Sequence, residues 1–113
     1  MLRPFLIATA LSLVVLVSGT AAASAASCSP PKYPGSGYFT SLTVTKVSCA
    51  TGKKVALAYY RCRVKNGPKG RCVKKVEGYA CREQRTSIET EINARVTCTR
   101  GTRKVVHTFQ QNL

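Results

Sequence analysis

The sequence predicts a small disulfide-stabilised α+β domain, in which one helix packs on an antiparallel sheet in the order strand, helix, strand, strand, strand. Apolar residues alternate with polar ones in several short segments, which is typical of half-buried strands. Over residues 50–64 the apolar spacing changes to that of a helix. Six cysteines in a chain of 113 residues indicate a disulfide framework, because an even number in a short exported chain is normally oxidised.

An apolar segment at the N-terminus indicates export. Arg3 supplies a positive charge, residues 5–17 form an apolar run without any charged residue, and Ala23-Ser24-Ala25 fits the small-residue pattern of a cleavage site. The apolar run is shorter than the roughly 20 residues that span a bilayer. Residues 1–25 are therefore predicted to be a secretory signal peptide, and the protein is expected to be secreted.

Residues 26–37 are rich in Pro, Gly and Ser. This composition predicts a leader without regular structure, ahead of a cationic disulfide-stabilised domain that spans residues 38–113. A lipid anchor on Cys28 is an alternative, because residues 25–28 resemble a lipoprotein processing site. Lipidation would leave an odd number of cysteines, which disfavours it.

The first strand and the helix follow each other directly. Residues 38–48 combine Thr, Val and aromatic residues in alternation, which predicts a strand. The helix over residues 50–64 has Ser48 or Thr51 as its candidate N-cap, and an Asn-Gly-Pro turn ends it. Its predicted apolar stripe is Val55, Ala58, Tyr59 and Cys62, and the cations expected mainly on the solvent side are Lys53, Lys54, Arg61 and Arg63.

Three antiparallel strands complete the predicted domain, over residues 72–86, 92–98 and 104–110. The SIETE segment turns the chain between the first two of them. Arg100-Gly101 is the predicted two-residue turn between the last two, with Gly at its second position. This register opposes His107 to Ala94 and points His107 towards the core.

The cysteines are predicted to form disulfides and not a metal site. The chain contains no C-x-x-C pair and a single histidine, so neither a metal nor a cofactor is predicted. The strand pairing brings Cys81 opposite Cys98, with Cys49 as an alternative partner, and a Cys62–Cys72 bond would close a basic loop. The disulfide candidates are Cys28, Cys49, Cys62, Cys72, Cys81 and Cys98.

The formal net charge of +14 suggests an anionic partner. Residues 61–75 hold a dense group of cations and no acid. The candidate anion-binding residues are Arg61, Arg63, Lys65, Lys69, Arg71, Lys74 and Lys75. We expect a non-enzymatic protein that binds a wall polymer, a polysaccharide, nucleic acid or another cell-envelope component through this loop. The oligomeric state is left open.

Two other functions compete with this expectation. A cationic antimicrobial or toxin-like protein would act on membranes, but the predicted helix has a weaker apolar stripe than interfacial helices usually show. A small secreted ribonuclease would need a carboxylate base, a phosphate-binding Arg and a His acid. The candidate groups are Glu83, Glu89, Glu91, Arg85, Arg95 and His107. They form no specific motif, and a histidine on an apolar face more often packs than catalyses, so no enzyme is predicted.

The order of V-S-C, helix, aromatic-x-C and V-x-C resembles a group of short exported proteins common in high-GC Gram-positive bacteria. The matching residues are Val47-Ser48-Cys49, Tyr79-Ala80-Cys81 and Val96-Thr97-Cys98. The likeness covers most of residues 38–109. It implies export, disulfides and an α+β fold, and it carries no catalytic residue to this chain.

Overall fold

Five antiparallel strands form a single sheet, and one helix lies on one of its faces. The computed structural model describes residues 10, 12–14 and 24–113. Most of the predicted signal peptide, residues 1–25, therefore lies outside the described residues. The elements are β1 (Ala26–Cys28), β2 (Gly37–Thr45), α1 (Cys49–Val64), β3 (Ala80–Ser87), β4 (Glu91–Arg100) and β5 (Arg103–Asn112).

The sheet order β1-β2-β5-β4-β3 places the last strand in the middle. Strand β5 pairs with β2 on one side and with β4 on the other, so early and late parts of the chain meet at the centre of the sheet. The predicted α+β class, with one helix packed on an antiparallel sheet, is confirmed. The predicted order of a strand, a helix and three strands corresponds to β2 through β5, and β1 is an additional short edge strand.

Helix α1 begins after the N-cap Ser48, whose hydroxyl accepts a hydrogen bond from the backbone N–H of Thr51 at 3.1 Å. Its buried face is rotated slightly from the predicted stripe. Gly52 lies at the helix–sheet contact, where an added Cβ would be 2.5 Å from Val44 Cγ1. The buried residues of the helix are Gly52, Val55, Ala56, Tyr59 and Arg63.

The core lies between α1 and the inner face of the sheet. Its strand residues come from alternate positions of β2, β4 and β5, as a period of two requires. They are Leu42, Val44, Ile92, Ala94, Val96, Cys98, Val105 and Phe109. The opposite face carries mostly polar side chains, among them the exposed residues Arg82 and Arg95.

Residues 26–37 belong to the domain, which corrects their prediction as a leader. Residues 26–28 form β1 and pair with β2. Tyr33 is only 7% exposed, and its ring meets those of Phe39 and Tyr60 edge-on, at centroid distances of 4.9 and 5.0 Å. The Pro/Gly-rich composition does exclude regular structure between β1 and β2, but a single aromatic side chain brings the segment into the core.

The third strand is shorter than predicted, because residues 72–79 form a loop and β3 begins at Ala80. Glu77 and Gly78 have positive φ angles of 49° and 77°, which reverses the chain. Val76 and Tyr79 exchange backbone hydrogen bonds across this turn. A residue in the left-handed region cannot continue a strand, so the strand predicted from residue 72 is interrupted here.

The β4–β5 hairpin turns one residue later than predicted. Its turn residues are Gly101 and Thr102, and Gly101 takes the first position with φ of 59°. The register therefore opposes His107 to Val96 and not to Ala94. The pairing moves by an even number of residues, so every side chain keeps its predicted face, and the prediction that His107 faces the core is confirmed.

All six cysteines are bridged, as Cys28–Cys49, Cys62–Cys72 and Cys81–Cys98. The latter two pairs match the geometry inferred from the sequence. The first bridge ties β1 to the start of α1, so the Cys28 sulfur is not free to carry a lipid in this structure. Three bridges in a small domain are typical of proteins that fold in an oxidising compartment. Secretion itself stays a prediction.

Candidate anion-binding surface

The basic loop, which we define as residues 65–75, is fixed over most of its length. The Cys62–Cys72 disulfide closes it, with a Cα–Cα distance of 5.2 Å. Two tight turns follow the helix, in which Gly67 N–H donates to Val64 O and Gly70 N–H donates to Gly67 O, both at 2.9 Å. A Cβ at position 70 would lie 2.1 Å from a backbone oxygen of the last helical turn, so glycine is required there. The backbone of the loop is therefore held in one compact path from the end of α1 to Cys72.

Two arginines from outside the loop hold its backbone from beneath. Arg63 Nη1 donates to Pro68 O at 2.6 Å. Arg85, on β3, donates to Lys69 O at 2.8 Å and to Gly70 O at 2.9 Å. Three consecutive loop carbonyls therefore bind guanidinium groups, while the lysine side chains of the loop are exposed.

Arg63 is buried, which corrects its prediction as an anion-binding residue. It is 1% exposed, and its Nη2 donates to Tyr33 Oη at 2.7 Å and to Gln111 Oε1 at 3.0 Å. Its guanidinium lies 4.4 Å from the ring centroid of Phe109, a cation–π distance. Arg63 follows Tyr59 by one helical turn and so points at the sheet. Within residues 24–113, no carboxylate lies within ion-pair distance of it.

Arg71 is partly committed to a carboxylate. Its Nη1 lies 3.2 Å from Glu83 Oε2, although 59% of its side chain is exposed. Glu83 also receives hydrogen bonds from Arg85 at 2.6 Å and from Tyr59 Oη at 2.9 Å. Burial and this bond to Glu83 raise the pKa of Tyr59, so it remains a phenol donor. The negative charge of Glu83 is thereby bound by groups of the protein itself.

Five of the predicted anion-binding residues are exposed and form no ion pair, because both ion pairs of the described residues end on Glu83. They are Arg61, Lys65, Lys69, Lys74 and Lys75. Lys65 and Lys74 lie side by side, and a hydrogen-bonding contact with the Lys74 side chain, together with its positive charge, lowers the pKa of Lys65. An adjacent pair of like charges in water is an arrangement that a bound anion would stabilise.

The groups considered for a ribonuclease do not form an accessible acid–base pair. Glu83 and His107 lie on the same face of the sheet, on either side of Val96. The Tyr59 ring covers both, since it is 5.6 Å from the His107 ring and its hydroxyl binds Glu83. Arg95 lies on the opposite, exposed face of the sheet, and the other two candidate carboxylates lie in the β3–β4 hairpin.

His107 is held neutral by its surroundings. It is 1% exposed, and burial, with a smaller contribution from the positive charge of Arg63, lowers its pKa to about 4. Its Nδ1 has no hydrogen-bond partner among the described residues. Its ring packs edge-on against Phe39 and Tyr59. These contacts are those of a core residue.

The sequence did not reveal the polar support beneath the loop. Gln111 accepts hydrogen bonds from Arg63 and Tyr33, and its Nε2 donates to Ser36 O at 2.9 Å. The burial of Gln111 could have been predicted, because the alternation of β5 continues past Phe109 and places Gln111 on the buried face. The contact of Arg85 with the loop has no comparable local signal.

Comparisons of the chain with protein-family models, with curated protein sequences and with solved structures find no match. Among the described residues, no helix is long and apolar enough to cross a membrane. In the same part of the chain, no cluster of three or more His, Cys, Asp or Glu side chains is placed to hold a metal ion. The charged surface of this chain is therefore the feature that indicates a function.

Proposed function

We propose that this is an exported protein that binds an anionic polymer outside the cell, such as a wall polymer, an acidic polysaccharide or nucleic acid, through the basic loop. One observation carries the proposal. Four exposed lysines lie on a loop whose backbone a disulfide and two arginines hold in place, and the exposed Arg61 lies on the last turn of α1 before it; none of the five has an acidic partner among the described residues. The binding cations are Arg61, Lys65, Lys69, Lys74 and Lys75, with Arg71 at the edge of the patch.

The fixed backbone supports binding in two ways. A restrained loop loses less conformational entropy when it meets a ligand than a flexible tail of the same charge. It also keeps the cations close together against their mutual repulsion, as the neighbouring Lys65 and Lys74 illustrate. A polyanion that releases its counterions to this patch would bind in a salt-dependent manner, with little preference for sequence.

A polymer fits the surface better than a membrane does. The apolar residues of α1, including Val55 and Tyr59, are buried against the sheet and are not available to a bilayer. Val73 is 97% exposed within the basic loop, but it is a single small apolar side chain among cations. Membrane binding of cationic segments normally requires an apolar face as well as charge.

The test compares two variants of equal charge. The loop variant replaces Lys65, Lys69, Lys74 and Lys75 by Gln. The control variant replaces Lys32, Arg82, Arg95 and Lys104, four exposed cations outside the loop, by Gln. Binding to heparin at low salt should weaken about tenfold or more in the loop variant and about threefold or less in the control, with unchanged melting temperatures.

Equal weakening in both variants would show that only total charge matters, and the proposal would fail. Leakage of anionic vesicles at protein concentrations that leave heparin unbound would instead favour the membrane-active alternative. Both measurements use the chain from residue 26 to residue 113 with its disulfides intact.

A further inference from the structure

A second cationic feature lies at the other end of helix α1 from the basic loop. Lys46 follows β2, Lys54 lies in the first turns of α1, and Arg100 and Arg103 flank the β4–β5 turn. These residues line a cleft of about 450 Å³, together with Thr51 and Glu77 among others. Since α1 has 16 residues, its two ends are about 24 Å apart, and the cleft shares no lining residue with the basic loop, although Glu77 follows the end of the loop by two residues.

The charges of the cleft are not neutralised. Arg100 and Arg103 are direct cross-strand partners, and like charges in that position destabilise a sheet. Neither arginine forms an ion pair within residues 24–113. Glu77 is the acid of the lining, and it too is in no ion pair there. Four cations with a single acid among them leave an excess of positive charge in the lining, which a bound anion would stabilise.

The side chain of Arg100 is exposed, but it packs against a neighbouring turn. A Cβ added at Gly78 would be 3.4 Å from the Cζ, Nε and Nη1 atoms of Arg100. The guanidinium therefore packs directly against the Glu77–Gly78 turn. Gly78 has a φ of 77°, in the left-handed region that favours glycine, and a Cβ there would be in van der Waals contact with the guanidinium at the edge of the cleft.

Two strained residues lie in the same lining. Lys46 and Glu77 have φ angles of 59° and 49°, and they are the two non-glycine residues with positive φ in the part of the chain that the structure describes. Such conformations are costly for side chains of this size and recur at ligand-binding sites. Here Lys46 turns the segment between β2 and α1, and Glu77 turns the segment before β3, and both segments border the cleft. The first turn of α1 also carries no acid, so its N-terminal dipole adds to the positive potential.

We propose that this cleft binds the phosphate group of a small phosphorylated polyol or sugar. Two guanidinium forks and two ammonium groups offer the donors that a phosphate with several oxygens requires. The Glu77 carboxylate, beside them, is placed to accept a hydrogen bond from a ligand hydroxyl. The volume lies within the range of about 300–1,000 Å³ that is usual for small-ligand sites, and it exceeds what phosphate alone would fill.

The ligand can be a free phosphorylated polyol or the end of a phosphate-containing polymer, since both present the same group. Calorimetric titration with glycerol 3-phosphate tests the free form, and titration with a short poly(glycerol phosphate) tests the polymer. Glycerol and sulfate serve as reference ligands. We expect glycerol 3-phosphate to bind more tightly than sulfate, and glycerol not to bind.

The decisive variant replaces Arg100 and Arg103 by Gln, and its matched control replaces the exposed Arg82 and Arg95 by Gln. The cleft variant should bind glycerol 3-phosphate about tenfold or more weakly, whereas the control should stay within about twofold of the original chain. Without ligand, the cleft variant should melt at the same temperature or higher, because it removes a like-charge pair. Glycerol 3-phosphate should raise the melting temperature of the original chain but not that of the variant.

This inference stands apart from the proposed polymer binding. The loop variant, with Lys65, Lys69, Lys74 and Lys75 replaced, should keep its affinity for glycerol 3-phosphate, whatever happens to heparin binding. Three results would overturn the cleft proposal: no binding of either phosphate probe, equal affinity for sulfate, or equal losses in the cleft variant and its control.

Discussion

Replacing Arg63 by Met tests whether the buried guanidinium holds the basic loop to the domain. Methionine keeps much of the apolar length of the side chain and removes its donors. The guanidinium binds Pro68 O, Tyr33 Oη and Gln111 Oε1, at distances of 2.6 to 3.0 Å. Its loss leaves the Pro68 carbonyl without its arginine donor.

The expected cost follows from these contacts. A hydrogen bond from a charged donor contributes about 1.5–3 kcal/mol, but removing a buried charge also recovers part of its desolvation cost. Tyr33 and Gln111 still bind each other after the substitution, so their loss is small. We therefore expect the free energy of unfolding to fall by about 2–4 kcal/mol, which corresponds to roughly 10–25 °C in a domain of this size.

Urea unfolding of the disulfide-intact protein measures this loss. Arg61→Met is the matched control, because Arg61 lies two residues away on the exposed side of α1, and it should change stability by about 0.5 kcal/mol or less. If Arg63→Met were as stable as Arg61→Met and lost heparin binding instead, Arg63 would be an exposed ligand-binding residue and its buried role would be wrong.

Three further predictions concern the core and the loop. Between about pH 6.5 and pH 4 the histidine is protonated in the unfolded chain, whereas the buried His107 of the folded protein stays neutral. The free energy of unfolding should therefore drop by up to about 1.4 kcal/mol for each pH unit of acidification, and His107→Gln should remove that part of the pH dependence in urea titrations. Tyr33→Ala should cost about 3–5 kcal/mol in thermal unfolding, whereas Tyr38→Ala, at a site 63% exposed, should cost little; equal effects would restore the leader interpretation. Replacing Cys62 and Cys72 by Ser keeps all charges but removes the covalent restraint on the loop, so the affinity for heparin should fall while the salt dependence of binding persists. An unchanged affinity would refute the role of the fixed backbone.

Periodicity predicted the elements well, because apolar spacing reports directly which face of a strand or helix is buried. The β4–β5 register could not be obtained in the same way. Pairings that differ by two residues bury the same side chains, so the pattern around His107 cannot distinguish them. The choice depends on Gly101, whose positive φ fits the first turn position, and that is a property of the turn and not of the flanking strands.

The errors on helix α1 have a different origin. Gly52 and Arg63 both lie on its buried face, but neither is an apolar residue that a periodicity argument counts. Burial of Arg63 requires Tyr33 and Gln111, which come from distant parts of the chain. The cleft is a similar case, because its cations meet only through the pairing of β2 with β5 and of β5 with β4.

The salt dependence of polyanion binding tests the central claim most directly. For duplex DNA of mixed sequence, the slope of log K against log salt is negative, and its magnitude decreases by about 0.9 for each phosphate contact that is lost. Between about 50 and 200 mM salt, replacing Lys65, Lys69, Lys74 and Lys75 by Gln should reduce the slope by about 3 to 4 if each lysine binds one phosphate. Replacing Lys32, Arg82, Arg95 and Lys104 by Gln should reduce it by less than about 1. Equal reductions in the two variants would contradict the assignment of binding to the basic loop.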